Sequence, residues 1–149
     1  MRSLAGAEPE GFLLAELGGT AVAIISCVRY GKDFGFIGFY IVPPAFRGRG
    51  YGLAVWNAAM ARLSGRVIGL DGVVAQQANY RKSGFVLAYN NMRMQGLTGS
   101  KGPVSDAVVA LDAVDPERLV QYDAAMFPGA RATFVRHSVR QQCSRLVDR

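Results

Sequence analysis

The sequence predicts a mixed α/β (α+β) fold in which a mainly antiparallel, twisted sheet is flanked by helices. Short apolar runs separated by glycine-containing turns fill residues 11–42, which is typical of antiparallel strands. The last run, Phe34–Val42, is apolar on both alternating faces and predicts a central strand covered on both sides. A glycine-rich turn and apolar residues at helical spacing follow, which predicts a helix packed on the sheet. With 149 residues, 50% of them hydrophobic, the chain can form a core.

Composition disfavours several classes of protein. No apolar run is long enough to span a bilayer, and residues 1–10 lack the apolar core of a signal peptide, so we expect no membrane segment. Cys27 and Cys143 lie far apart and His137 is the single histidine, which predicts free thiols, a cytoplasmic location and no metal site. Of the net charge of +6, residues 131–149 carry five arginines and one aspartate, that is +4. We expect a solvated surface there, with nucleic-acid binding as the disfavoured alternative.

Three strands are predicted before the glycine-rich turn. After an irregular terminus over residues 1–10, they are Gly11–Leu17, Thr20–Tyr30 and Phe34–Val42. The first two are joined by Gly18-Gly19, which is a hairpin turn signal. Pro43-Pro44 ends the third strand, because proline has no N–H to donate to a neighbouring strand.

The turn itself, Arg47-Gly48-Arg49-Gly50-Tyr51-Gly52, carries the strongest functional signal. Apolar residues then recur at Leu53, Trp56, Met60 and Leu63, so the helix should begin inside the glycine cluster with its first N–H groups exposed. A helix start of this kind beside two arginines is suited to phosphate. It has neither the Gly-Lys-Ser/Thr ending of a P-loop nor the GxGxxG spacing of a dinucleotide site. The alternative is a tight turn whose glycines only permit close packing.

The remaining elements follow from periodicity and turn residues. The predicted order is a strand Arg66–Leu70, a helix Gln76–Ser83 stopped by Gly84, a strand Phe85–Arg93, a linker over residues 97–103, a strand Val104–Leu111, a helix from Asp115-Pro116 to Met126, and a weakly amphipathic segment Phe134–Val147.

Two motifs resemble hallmarks of the GNAT superfamily of acyl-CoA-dependent N-acyltransferases. The pattern R-x-x-G-x-G, filled by Arg47, Gly50 and Gly52, resembles the family's pyrophosphate-binding signature. The pattern L-Y-x-x-x-G-F is matched by Tyr80, Gly84 and Phe85, although Asn79 stands in place of the leucine. The family also often carries an asparagine where this chain has Val73. The resemblance spans roughly Gly11 to Gly96.

This resemblance implies direct transfer of an acetyl group from acetyl-CoA to a primary amine in a ternary complex. The strands Phe34–Val42 and Arg66–Leu70 would splay apart at the catalytic centre, where the acyl-pantetheine arm pairs with backbone at Ile41 and Val42. The pyrophosphate would bind the amides of the turn, which are those of Arg47, Gly48, Arg49, Gly50, Tyr51 and Gly52. The acceptor would be a small-molecule or peptide amine.

Two residues are candidates for proton transfer. Tyr80 could protonate the leaving thiolate, the alternative being that it only packs. Asp71 is the best-placed general base, the alternative being that it caps the turn at Gly72 through an Asx bond. Glu16 is a weaker candidate, and deprotonation through water is also open.

The chain departs from the family pattern at both ends. About ten residues precede Gly11, where the family has a strand and two helices, so we expect missing N-terminal elements and a homodimer that covers exposed apolar surface. Residues 104–149 resemble the start of a second GNAT domain through Tyr122, Asp123, Phe127 and Arg131. The predicted organisation is a core over 1–96, a linker over 97–103 and a C-terminal segment over 104–149. That segment would dock on the first domain or on another subunit. An acyl-CoA-binding module without turnover is the alternative function.

Overall fold

One four-stranded sheet organises the chain in the computed structural model, which describes residues 8–92, 94–96, 105 and 107–147, without the side chains of 142–147. The strands are β1 (Phe12–Leu17), β2 (Thr20–Tyr30), β3 (Phe34–Ile41) and β4 (Val67–Leu70). They lie in the order β1-β2-β3-β4, with antiparallel pairing except between β3 and β4, which run parallel. The mixed, mainly antiparallel sheet is therefore confirmed, with β3 inside it.

The described residues form four α-helices. They are α1 (Tyr51–Arg62), α2 (Gln77–Lys82), α3 (Pro116–Met126) and α4 (Ala132–Val147). The chain divides into two compact units, one made of Met1–Leu70 with Ala110–Arg149 and the other of Asp71–Val109. This division reflects compactness, and its boundaries differ from those of the predicted core over 1–96. The predicted core was defined by resemblance to a protein family, and it stays a prediction. The predicted linker over 97–103 lies outside the described residues.

Helix α1 covers one face of the sheet. Its buried side chains are Val55, Trp56 and Ala59, with Leu63 at its C-terminal cap. Gly35 on β3 permits this packing, because a Cβ there would lie 2.7 Å from Leu63 Cδ2. The prediction that Leu53 faces the sheet is wrong, since 61% of this residue is exposed. The stripe that packs on the sheet is therefore rotated away from Leu53.

The C-terminal helices cover part of the opposite face. Phe127 and Phe134 pack against a buried cluster of Val28, Tyr30 and Phe34. The Phe127 ring meets the rings of Tyr30 and Phe34 edge-on, at centroid distances of 5.2 and 5.5 Å. The segment that the sequence placed at the start of a second domain therefore docks on the sheet of its own chain.

Residues of the predicted second-domain motif hold this docked segment. Arg131 pairs with Asp123 at 2.6 Å and places its guanidinium 3.6 Å from the centre of the Phe127 ring. The predicted helix start is also confirmed, because the Asp115 side chain accepts a hydrogen bond from Glu117 N. Tyr122, the remaining motif residue, is exposed.

Two predicted strands are wrong in the described part of the chain. Residues 85–92 form no strand, and all of them except Phe85 are exposed. Described residues of 104–111 also form no strand, and Leu111 begins a 3-10 turn instead. Both stretches have strand-like composition, but a strand also needs a neighbour that pairs with its backbone, which the pattern cannot reveal.

An ion-pair cluster ties the first described residues to the sheet and to α1. Glu8 accepts hydrogen bonds from the backbone and side chain of Arg29, and from Arg62 Nη2 at 2.7 Å. Pro9–Gly11 form a 3-10 turn, so residues 8–10 are more ordered than the predicted irregular terminus. Burial raises the pKa of Glu8, but the bonds from Arg29 and Arg62 outweigh it and hold the pKa below its ordinary value.

We expect Gly129→Ala to destabilise the docked C-terminal segment. A Cβ at residue 129 would lie 2.8 Å from Tyr30 Cβ and 3.0 Å from Phe34 Cβ, atoms too close to the backbone to move away cheaply. Chemical denaturation should show a loss of about 1–3 kcal/mol in the free energy of unfolding. Gly96→Ala is the matched control, because no described atom lies within 4 Å of its Cβ position. Equal stability of the two variants would contradict this packing.

We expect the Glu8 cluster to make stability depend on pH. A carboxyl whose pKa is lowered by folding stabilises the fold above its unfolded pKa, and this contribution is lost as the pH falls through the folded value. At about pH 7, the melting temperature of Glu8→Gln should therefore be lower than that of the native protein. The difference between the two melting temperatures should become smaller at about pH 3. A gap in melting temperature that is constant across this range would contradict the role of the charged carboxylate.

Candidate functional site

The glycine-rich turn connects the end of β3 to the start of α1. A 3-10 turn, Pro44–Phe46, follows β3, and α1 begins at Tyr51, inside the glycine cluster as predicted. Gly48 and Gly50 have φ values of +72° and +85°, which residues with a Cβ rarely adopt. No described atom lies within 4 Å of the position that a Cβ would take at either glycine. Both glycines are therefore needed for backbone conformation, and the space beside them is open.

The first turn of α1 has the donors that an anion needs. Gly50 is the N-cap residue and has no side chain with which to cap the helix. The amides at the start of an α-helix have no carbonyl four residues earlier to pair with. The first turn contains no acidic residue, and Arg47 and Arg49 are both exposed beside it. These amides, the positive end of the helix dipole and two guanidinium groups together fit a phosphate-containing group.

Arg47 also fixes the shape of the turn. Its Nε donates a hydrogen bond to the carbonyl oxygen of Val42 at 2.9 Å, which ties the turn to the end of the strand. Phe46 and Tyr51 meet edge-on across the turn, with ring centroids 6.3 Å apart. Because a guanidinium has five N–H donors, a bond from Nε leaves Arg47 other donors for an anion.

Gly52 differs from the other glycines of the turn. It lies in α1 without a positive φ, yet a Cβ there would lie 2.7 Å from Tyr40 Oη and 3.0 Å from Val42 Cγ2. On this side of the helix, protein atoms occupy the space that the glycine leaves. The predicted alternative, that glycines permit close packing, therefore applies to Gly52. At Gly48 and Gly50, glycine is needed because the backbone has a positive φ.

A β-bulge in β3 brings Tyr40 to this position. The register with β2 pairs Ser26 with Gly38 but Ile24 with Ile41, so β3 has one extra residue between the pairs. Phe39, within this interval, has a φ of +47°, which is rare for an aromatic residue. The bulge shifts the alternation of side chains, so that Tyr40 joins the face that packs on α1. The sequence pattern gave no sign of it.

The end of β3 extends beyond its parallel neighbour. Pairing with β4 runs from Phe34 with Val67 to Ile37 with Leu70 and then stops. The prediction that β3 is covered on both sides is wrong for Phe39, Tyr40 and Ile41, which are exposed, because β4 is too short to reach them. Within the described residues, the backbone of β3 beyond Ile37 makes no strand pair on that side.

The two predicted catalytic residues lie in the second unit. Tyr80 is half-buried in the short helix α2, where its carbonyl oxygen accepts bonds from Ser83 N at 3.0 Å and Phe85 N at 3.1 Å. Gly84, with a φ of +88°, ends this helix as predicted. Asp71 is exposed, and within the described residues it accepts a bond from Asn91 Nδ2 at 3.3 Å instead of closing an Asx turn. The catalytic roles of Tyr80 and Asp71 stay predictions.

Two features of the described residues bear on the class of chemistry. No group of three or more His, Cys, Asp or Glu side chains there could hold a metal ion. Nor is any described helix both long and apolar enough to cross a membrane. Cys27 is a buried free thiol, and burial raises its pKa, which disfavours the reactive thiolate.

Comparison with known proteins identifies relatives over most of the chain. The model of the acetyltransferase (GNAT) family matches residues 1–85. The holothin acyltransferase of Pseudoalteromonas sp. (strain SANK 73390) is 33% identical over 129 residues, which are 87% of this chain and 44% of that protein. The chain therefore spans less than half of the length of this curated relative.

Solved structures share the fold. A Pyrococcus horikoshii protein assigned to the acetyltransferases aligns with a TM-score of 0.68 and 22% identity, covering 94% of this chain and 50% of that one. Ard1 from Thermoplasma volcanium aligns with a TM-score of 0.52 and 24% identity, covering 59% of this chain and 64% of that one. At these identities the likeness concerns the fold alone, and it supports the mixed sheet described above.

We expect Gly50→Ala to cost about 1–2 kcal/mol in the free energy of unfolding, because an alanine is strained at a φ of +85° although space is available. Gly50→Asn should cost less, since asparagine tolerates the left-handed region better. Denaturant titration of the two variants checks this order. An alanine variant as stable as the native protein would show that the turn does not require this conformation.

Proposed function

The chain belongs to the GNAT acetyltransferase family, and on that premise we propose that it is an N-acyltransferase that moves an acetyl group from acetyl-CoA to a primary amine. The observation that carries the proposal is the start of α1, where a glycine N-cap, open backbone at Gly48 and Gly50 and two exposed arginines offer donors to a pyrophosphate. The acyltransferase activity of the relative that is 33% identical supports the same class of reaction.

Residues at the two ends of the turn would hold different parts of the cofactor. The amides of residues 48–52 would bind the pyrophosphate, with Arg49 and the remaining side-chain donors of Arg47 adding charge. The amide of Arg47, also predicted as a donor, instead donates to Pro44 O at 3.3 Å. The backbone of Ile41 and Val42, which lies beyond the pairing with β4, would pair with the pantetheine arm, as an added strand pairs with a sheet edge. When bound, the cofactor supplies a thioester that an amine can attack.

Proton transfer would fall to Tyr80 and Asp71. Tyr80 Oη would donate a proton to the leaving sulfur, and Asp71 is the carboxylate proposed to accept a proton from the amine, directly or through water. A backbone amide of β3 would stabilise the negative charge on the carbonyl oxygen. The acceptor is a small-molecule or peptide amine. The homodimer and the cytoplasmic location stay predictions.

Nucleic-acid binding through the C-terminal arginines has less support. Arg131 is paired with Asp123, and Arg136 donates to both carboxylate oxygens of Glu117 at 2.7 and 2.8 Å. These pairs compensate part of the positive charge that the composition assigns to residues 131–149.

Calorimetric titration with acetyl-CoA and with CoA tests the proposal. We expect a dissociation constant of about micromolar order and no binding by Gly50→Val, whose side chain would enter the open space of the turn. Gly19→Val is the matched control, because Gly19 also has a positive φ and open space but lies in the β1–β2 hairpin. A folded native protein that binds neither compound would overturn the proposal. Binding without transfer to any amine of a broad panel would support a binding module.

Tyr80→Phe should lower the turnover number by about a hundredfold, because a positioned general acid typically contributes that much. The dissociation constant for acetyl-CoA should change little, since the phenol acts on the leaving sulfur. Tyr89→Phe, at an exposed tyrosine of the same unit, is the control and should retain native turnover. An unaltered rate in Tyr80→Phe would leave Tyr80 with a packing role only.

A further inference from the structure

Gly52 differs from Gly48 and Gly50 because side-chain atoms of other residues occupy the position that its Cβ would take. Of the atoms near its Cβ position, Tyr40 Oη lies at 2.7 Å, Val42 Cγ2 at 3.0 Å and Tyr40 Cζ at 3.5 Å. A contact under 3.0 Å requires something to move, and the cost depends on how firmly the Tyr40 ring is held, whereas 3.5 Å is an ordinary van der Waals distance. The phenol oxygen of Tyr40 is therefore the atom that most strongly excludes a side chain at residue 52.

Tyr40 is partly exposed, but its ring is held on the side of α1. Its ring lies against Trp56, with centroids 5.5 Å apart and planes at 48°. Trp56 is a residue of α1 and is buried in the core between this helix and the sheet. The backbone of Tyr40 follows the bulge at Phe39, which turns the side chain toward α1. A larger residue at 52 would therefore either push the first turn of α1 away from the end of β3 or displace the Tyr40 ring from Trp56.

That displacement would act on the proposed cofactor site. The amides proposed for the pyrophosphate belong to the turn and to the start of α1, and the backbone proposed for the pantetheine arm lies at the end of β3. A single ligand that binds both requires a fixed separation between them. The contact between Tyr40 and Gly52 joins the end of β3 to the first turn of α1, so it sets the distance between these two parts of the site.

We propose that Tyr40 is a positioning residue of the cofactor site, and that Gly52 is glycine because Tyr40 occupies the space beside it and not because a ligand does. This inference rests on the proposed function. It states that the contact between Tyr40 and Gly52 sets the distance between the amides of the turn and the end of β3, which are the two parts of the proposed cofactor site. It separates the glycines of the turn by role: Gly48 and Gly50 serve backbone conformation beside the ligand, and Gly52 accommodates Tyr40.

A double-mutant cycle of Tyr40→Phe and Gly52→Ala tests the inference. Replacing tyrosine by phenylalanine deletes the atom at 2.7 Å and leaves Cζ at 3.5 Å. The dissociation constant for CoA is measured by calorimetry at a temperature at which circular dichroism shows every variant to be folded, and melting temperatures are recorded separately. Gly50→Ala, made in both backgrounds, is the matched control.

We expect Gly52→Ala to weaken CoA binding by about tenfold or more in the Tyr40 background and by no more than about threefold in the Tyr40→Phe background, where only the Val42 contact remains tight. Gly50→Ala should cause the same loss in both backgrounds, because its cost comes from φ. An equal loss from Gly52→Ala in both backgrounds would overturn the inference and return Gly52 to a role in ligand approach.

Failure of the proposed function would look different. A folded native protein that binds no CoA would remove the cofactor role, and with it the claim that Tyr40 positions that site. The melting temperatures would still decide the packing claim, because Tyr40→Phe must reduce the destabilisation caused by Gly52→Ala. Independent, additive losses of stability would overturn that part as well.

Discussion

The junction between the end of β3 and the first turn of α1 is the constraint on which the proposed site depends. The Val42 carbonyl oxygen accepts a hydrogen bond from Arg47. The side chains of Tyr40 and Val42 contact Gly52, and the Tyr40 ring also packs against Trp56. These contacts fix a helix N-terminus beside an exposed strand end, so that amide donors and the part of β3 that extends beyond β4 lie close together. Neither half alone would recognise an extended ligand, because each supplies one kind of contact.

The rest of the first unit keeps this junction in place. Helix α1 is anchored at its far end by Leu63 beneath Gly35 and by Arg62 on Glu8. The opposite face of the sheet is covered in part by the C-terminal segment, which the Asp123–Arg131 pair holds against the core. A motif that resembles the start of a further domain thus has a structural role within this chain, whatever additional sequence its relatives contain.

Sequence reasoning identified the features that depend on local chemistry. Glycines in turns and at a helix end, proline at a strand end and Asp115 before Pro116 each act within a few residues, and the structure contains all of them. It fails where the outcome depends on distant partners: residues 85–92 have strand composition, but they pair with no strand in the described part of the chain. The bulge at Phe39 was also missed, because its apolar neighbours predict an unbroken strand. That error hid the contact of Tyr40 with Gly52.

The central claim is that the start of α1 binds the cofactor, and amide hydrogen exchange read by mass spectrometry tests it most directly. These amides lack intrahelical acceptors, so they should exchange fast in the free protein and slow when a phosphate accepts their hydrogen bonds. With saturating acetyl-CoA, we predict slower exchange in peptides covering residues 47–53 and no change around the Glu8 cluster. Demonstrated binding of acetyl-CoA with unchanged exchange over residues 47–53 would contradict the account and locate the cofactor elsewhere.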